Sequence, residues 1–68
     1  MFVIAFKERY REEYYTGKRY KYDGWVYPGR DELEFAKVYK TRGTAERGLK
    51  SVKENCYYED DVYIKEIK

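Results

Sequence analysis

Fourteen aliphatic, phenylalanine and methionine side chains are all that this chain of sixty-eight residues offers for building a core. That count permits one thin core, close to the lower size at which a domain folds without staples. The ten tyrosines and Trp25 must therefore supply much of the remaining buried area, with hydroxyls reaching the edge for water. A single domain over residues 1–68 is expected, with a dimer that shares its core as the open alternative.

Within that limit the pattern of apolar residues assigns the elements. In Phe2-Val3-Ile4-Ala5-Phe6-Lys7, Phe2, Ile4 and Phe6 alternate with Val3, Ala5 and Lys7. Both faces begin apolar, which predicts a central strand. Residues 8–21 are dense in charge and tyrosine and hold one turn signal, Thr16-Gly17-Lys18. They read as a hairpin arm with Tyr20 and Tyr22 on the returning side, or as an ordered loop. Asp23-Gly24 and Pro28-Gly29 are further turn signals, bracketing Trp25-Val26-Tyr27 as a short strand. Residues 33–40 alternate Phe35, Lys37 and Tyr39 against Glu34, Ala36 and Val38, which predicts a second full strand.

The period then changes. Ala45, Leu49 and Val52 form a helical stripe with Gly48 on the same face. Thr41 and Thr44 are both candidate N-caps, and Asn55 suits the stop. A glycine inside a helix costs about 1 kcal/mol relative to alanine, which a close helix–sheet approach or simple tolerance would explain. Residues 61–67 read as the last strand. The expected fold is α+β: one helix packed on a small, mainly antiparallel sheet of three to five strands. A parallel crossover joining residues 33–40 to 61–67 would be right-handed.

The chain has no histidine, so it lacks the side chain that most readily moves protons near neutral pH. None of Ser51, Thr16, Thr41, Thr44 and Cys56 has a histidine to activate it. Cys56 is the only cysteine, which forbids an intrachain disulfide and suits a reducing compartment. It reads as a small apolar side chain at the core's edge. Glu59-Asp60-Asp61 reads as a solvated turn, because neighbouring strand residues alternate and no second ligand group accompanies them. The five glycines form no phosphate-binding motif. Arg42-Gly43-Thr44 reads as an ordinary helix start. No metal, no cofactor and no enzymatic activity is expected. The longest apolar run is six residues, too short to span a membrane and poor as a signal peptide, so a cytoplasmic location is expected.

Binding is the chemistry that the composition favours. Net charge is only +2, but it is unevenly spread. Residues 7–30 carry seven cations against four anions, residues 40–53 five against one, and the tail from Glu54 is acidic. In the first basic section Arg11, Tyr14, Tyr15, Lys18, Arg19, Tyr20, Tyr22 and Trp25 interleave cations with aromatic planes. Tyr, Trp and Arg dominate protein-interface hot spots. The same residues also grip single-stranded nucleic acid, where bases stack and cations follow the backbone. Glu8, Glu12, Glu13 and Asp23 lie among them, which weighs against a nucleic-acid groove.

The arrangement Tyr14-Tyr15-Thr16-Gly17, Gly24-Trp25 and Ala36-Lys37-Val38-Tyr39-Lys40-Thr41, followed by Ala45 and Leu49, resembles small accessory proteins of bacteriophages and prophages. The resemblance runs over residues 2–67. It implies a non-enzymatic protein that binds a host protein or complex stoichiometrically in the host cytosol, as anti-CRISPR inhibitors do. A single-stranded DNA- or RNA-binding module is the alternative. The resemblance carries no site residues with it.

Overall fold

The computed structural model describes residues 1–58 and 60–67. Four strands, β1 (Phe2–Lys7), β2 (Glu12–Tyr22), β3 (Trp25–Asp31) and β4 (Asp61–Glu66), form one antiparallel sheet in the order β3-β2-β1-β4. A single helix, α1 (Arg42–Asn55), packs on one face, giving the α+β class that the pattern predicts. The two-faced apolar strand is central as expected, and Val3, Ile4, Ala5 and Phe6 are all fully buried. Ile4 and Phe6 point toward α1, where they join Ala45, Val52, Tyr15 and Tyr39. Val62 and Ile64 sit opposite Phe6 and Ile4 on β4 and extend the same core.

β2 is where expectation and structure part. It does not turn at Thr16-Gly17-Lys18 but runs on to Tyr22. The return is made by Asp23 and Gly24, whose φ angles of 51° and 85° give the left-handed pair of a two-residue hairpin turn. Its register against β3 shifts between Tyr15, opposite Arg30, and Arg19, opposite Pro28. Thr16, Gly17 and Lys18 thus face Gly29 alone, a bulge that bends the strand. Gly17 takes φ 86° there, and a Cβ on it would stand 2.8 Å from Lys37 Cδ. Pro28-Gly29 is accordingly not a turn. Pro28 is buried within β3, an edge strand, where a missing N–H is tolerated.

The bulge also explains why residues 33–40 do not form the expected strand. β2 pairs with β1 only at Glu12, Glu13 and Tyr14. Beyond that point the backbone of Phe2 needs another partner. Tyr39 supplies it, with Phe2 N–H to Tyr39 O and Tyr39 N–H to Phe2 O both at 2.8 Å, while Lys37 N–H donates to Tyr15 O at 2.9 Å. Residues 37–39 therefore wedge between β1 and the departing β2. Residues 33–35 before them form a 3-10 turn with no buried side chain. Only a one-residue bridge forms there, but it and β4 both run antiparallel to β1 on its two sides, so the segments that α1 joins are parallel to each other with β1 between them.

Thr41 caps α1, its Oγ1 accepting from Thr44 N–H at 3.2 Å. Gly48 earns its place by close approach: a Cβ would lie 2.8 Å from Tyr39 Cζ. At the other end of the core Arg30 lies over the Phe6 ring, its guanidinium carbon 4.6 Å from the centroid. It forms ion pairs with Glu8 at 3.1 Å, Glu13 at 3.2 Å and Asp60 at 2.8 Å. Glu59, and with it part of the acidic triplet, lies outside the described residues.

Candidate functional site

The β2–β3 hairpin carries several of the aromatic side chains that the core does not use. Beyond the bulge, alternation puts Tyr20 and Tyr22 on one face of β2, with Lys18 of the bulge near Tyr20, and the register sets Tyr27 opposite Tyr20 and Trp25 opposite Tyr22. Tyr20 and Tyr27 stack with centroids 5.4 Å apart and planes at 21°. The chain returns to this face after α1. Tyr57 N–H donates to Val26 O at 2.7 Å, and its ring lies 5.3 Å from Trp25 and 5.8 Å, edge-on, from Tyr27. Tyr20, Tyr27, Tyr57 and Trp25 thus form a continuous strip with Tyr22 beside it.

The strip is open to solvent. Tyr20 is 58% exposed, Tyr22 70%, Trp25 57% and Tyr57 40%. One side falls into a cleft of about 250 Å³ lined by Tyr20, Tyr27, Tyr57, Tyr58, Arg30 and Asp60. Rings that contact one another are already ordered before any partner arrives, so little side-chain entropy remains to be lost on binding.

Of the eight residues singled out from the sequence, the structure gathers four, Lys18, Tyr20, Tyr22 and Trp25. The rest are used elsewhere. Tyr15 is only 4% exposed and belongs to the core beneath α1, so its ring is no contact residue. Arg19 lies on the helix side, donating from Nη2 to Ser51 Oγ at 2.6 Å and from Nε to Tyr15 Oη at 3.3 Å. The Tyr15 hydroxyl holds that guanidinium protonated beyond the usual range. Arg11, in the β1–β2 loop, is paired with Glu8 at 3.1 Å and Glu13 at 3.4 Å. Tyr14 lies on the sheet face away from α1, donating to Glu12 Oε1 at 2.6 Å.

That last contact belongs to a second polar cluster. Glu12 accepts hydrogen bonds from Tyr14, Tyr63 and Lys65, the last from Nζ at 3.0 Å. The two phenols, Tyr14 first, and then the ammonium hold the Glu12 carboxyl down at about 2. The same bonds lift the Tyr14 and Tyr63 hydroxyls above the usual phenol range. Tyr14 and Tyr63 flank Ala5 from the two neighbouring strands, so the cluster roofs the sheet's second face. A carboxylate saturated with donors in this way is a structural acceptor at neutral pH.

Sequence reasoning missed Tyr57 and Tyr58. Their position just after the helix was visible, but only the backbone bond to Val26 brings Tyr57 to the hairpin. Among the described residues no cluster of three or more His, Cys, Asp and Glu side chains stands ready for a metal ion, and no helix is long and apolar enough to cross a membrane. Comparison with protein-family models, curated proteins and solved structures returned no match.

Proposed function

We propose that this chain is a non-enzymatic binding protein that grips a partner protein with the aromatic strip of its β2–β3 hairpin. The observation behind this reading is the concentration of four mutually packed rings, with exposed Tyr22 beside them, on one open face, in a chain short of apolar residues for its own core. Aromatic area left in water that the core needs calls for a partner to cover it. Tyr and Trp in such a patch are the residue types that carry most interface energy. The phage-type role of blocking a host complex rests on the sequence resemblance alone and is part of the proposal.

A protein partner is favoured over single-stranded nucleic acid by the fate of the cations. Arg11 and Arg19 are engaged within the chain, and Arg30, the cation that lines the cleft, is paired with Glu8, Glu13 and Asp60. Asp60 lines the cleft, and Tyr20 and Tyr27 cover one another's rings. A nucleic-acid groove needs cations along the backbone path and free ring faces.

The test compares the wild-type chain with a triple variant, Tyr20→Ser, Tyr22→Ser and Trp25→Ser, in affinity capture from the native host. The variant should keep the wild-type circular dichroism spectrum and lose the captured protein. Capture undiminished by the triple substitution contradicts the reading. Fluorescence anisotropy with unstructured oligonucleotides decides the other way: binding that is strong at low salt and collapses as salt rises makes nucleic acid the ligand.

A further inference from the structure

The sheet has two edges, and the chain treats them differently. On β3 the outer edge is taken up by Tyr57, which bonds Val26 O, and carries Pro28, which has no N–H to offer. On β4 nothing among the described residues pairs with the outer edge. Which groups it presents follows from the ladder. Met1 and Ile67 exchange both bonds, at 3.0 and 2.7 Å. In an antiparallel pair such exchanges recur at every second residue, so Val3–Lys65, Ala5–Tyr63 and Lys7–Asp61 are the bonded pairs. Val62 and Ile64 therefore turn their N–H and C=O groups outward. Phe2, in the other class, bonds away from β4 to Tyr39, as this phase requires.

The side chains along that edge are complementary to themselves. Set β4 antiparallel to a second β4 about a two-fold axis at Tyr63. Val62 then exchanges both backbone bonds with Ile64 of the second copy, and Ile64 with its Val62. On the helix side these two part-buried residues meet as apolar pairs and join the two cores. On the other face the exposed Asp61 meets Lys65 of the second copy, twice by symmetry, and the two Tyr63 rings face each other between the ion pairs. Asp61 is used by none of the ion pairs within the described residues. The outermost pair sets Asp60 against Glu66, and Asp60 is already neutralised by Arg30 at 2.8 Å. Moving the axis to Ile64 instead sets Glu66 against Val62 and Asp61 opposite Ile67, which loses both charge pairs and leaves one apolar pair, Ile64 with its copy, in place of two.

We infer that β4 is an isologous dimerisation edge, pairing antiparallel with β4 of a second copy about Tyr63 to make one continuous eight-stranded sheet. The partner-binding strip lies on the hairpin at the opposite edge of each copy, so the dimer presents two strips and is independent of what they bind.

Sedimentation velocity over a concentration series tests this. The wild-type chain should dimerise. Asp61→Lys, which sets lysine against Lys65 of the second copy, should weaken the dimer at least tenfold while circular dichroism stays unchanged. The charge-swapped D61K/K65D chain, made in a Glu12→Gln background because Lys65 lies 3.0 Å from Glu12, should dimerise as the Glu12→Gln chain does, because lysine and aspartate again face each other. Tyr63→Cys in a Cys56→Ser background should form a disulfide-linked dimer under mild oxidation, and Lys50→Cys in the same background should not. The serine strip variant should dimerise like the wild type. A wild-type chain that stays monomeric into the millimolar range overturns the inference, as does a dimer indifferent to Asp61→Lys or a Tyr63→Cys chain that does not cross-link.

Discussion

Replacing Gly48 by alanine sets two effects of known size against each other. In an exposed helix the change stabilises by about 1 kcal/mol, because glycine gives up more backbone freedom on folding. Here the added Cβ would lie 2.8 Å from Tyr39 Cζ and 3.1 Å from its Cε1, with the hydroxyl oxygen nearer still. Tyr39 cannot swing aside cheaply: its ring is 9% exposed, and both its N–H and C=O are bonded to Phe2. Forcing atoms into such a packed contact costs about 1–3 kcal/mol. The steric term wins, and Gly48→Ala should lower stability by about 1 kcal/mol net, a fall of roughly 4–8 °C in Tm for a domain of this size. Thermal and guanidinium denaturation followed at the helix band measure it. In a Tyr39→Phe background, which removes the nearest atom, the penalty should shrink without vanishing. A Gly48→Ala chain as stable as the wild type refutes the argument that this glycine exists for the Tyr39 contact.

Other substitutions separate the structural from the binding aromatics. Tyr15→Ala should cost about 3–5 kcal/mol in denaturant titrations, as for a large ring removed from a core, whereas the serine strip variant should change stability by under about 1 kcal/mol. Glu12 should govern acid stability. Its carboxyl is held at about 2, below its unfolded value, so its contribution is complete above about pH 4.3 and is lost as pH falls toward 2. Linkage sets that contribution at roughly 3 kcal/mol, and screening at a part-exposed site leaves about 1–2. Glu12→Gln should be less stable by that amount at neutral pH, with the difference gone near pH 2. Arg30→Ala should destabilise by about 3 kcal/mol in denaturant titrations, because it strands Glu8, Glu13 and Asp60 beside the core.

What could be read from the sequence was whatever local chemistry decides. The two-faced apolar run made β1 central, Asp23-Gly24 was legible as a turn though the hairpin was expected to close at Thr16-Gly17-Lys18, Thr41 was one of two candidate caps, and close approach was one of two readings of Gly48. What could not be read was set at long range. Residues 33–40 have the alternation of a strand, but the bulge at residues 16–18 leaves room only for a wedge with one bridge to Phe2. Parity along β2, set by its register against β1, decides which tyrosines turn inward. Tyr14 and Tyr15 look equivalent as neighbours in a basic, aromatic stretch; one roofs the open face and the other fills the core. Arg19 had the composition of a contact residue and is spent on Ser51, thirty-two residues away. The strip itself was half visible, and Tyr57 entered it through a single backbone hydrogen bond.

The claim that the hairpin strip is the binding surface is tested most directly by site-specific photo-crosslinking in the native host. A benzophenone amino acid is placed at Tyr22, at Trp25 or, as a control on the helix, at exposed Lys50. Tyr22 and Trp25 should give cross-links to the same host protein, and Lys50 none. Cross-links to that protein from Lys50 and not from the hairpin, or to nucleic acid alone from the hairpin, contradict the account.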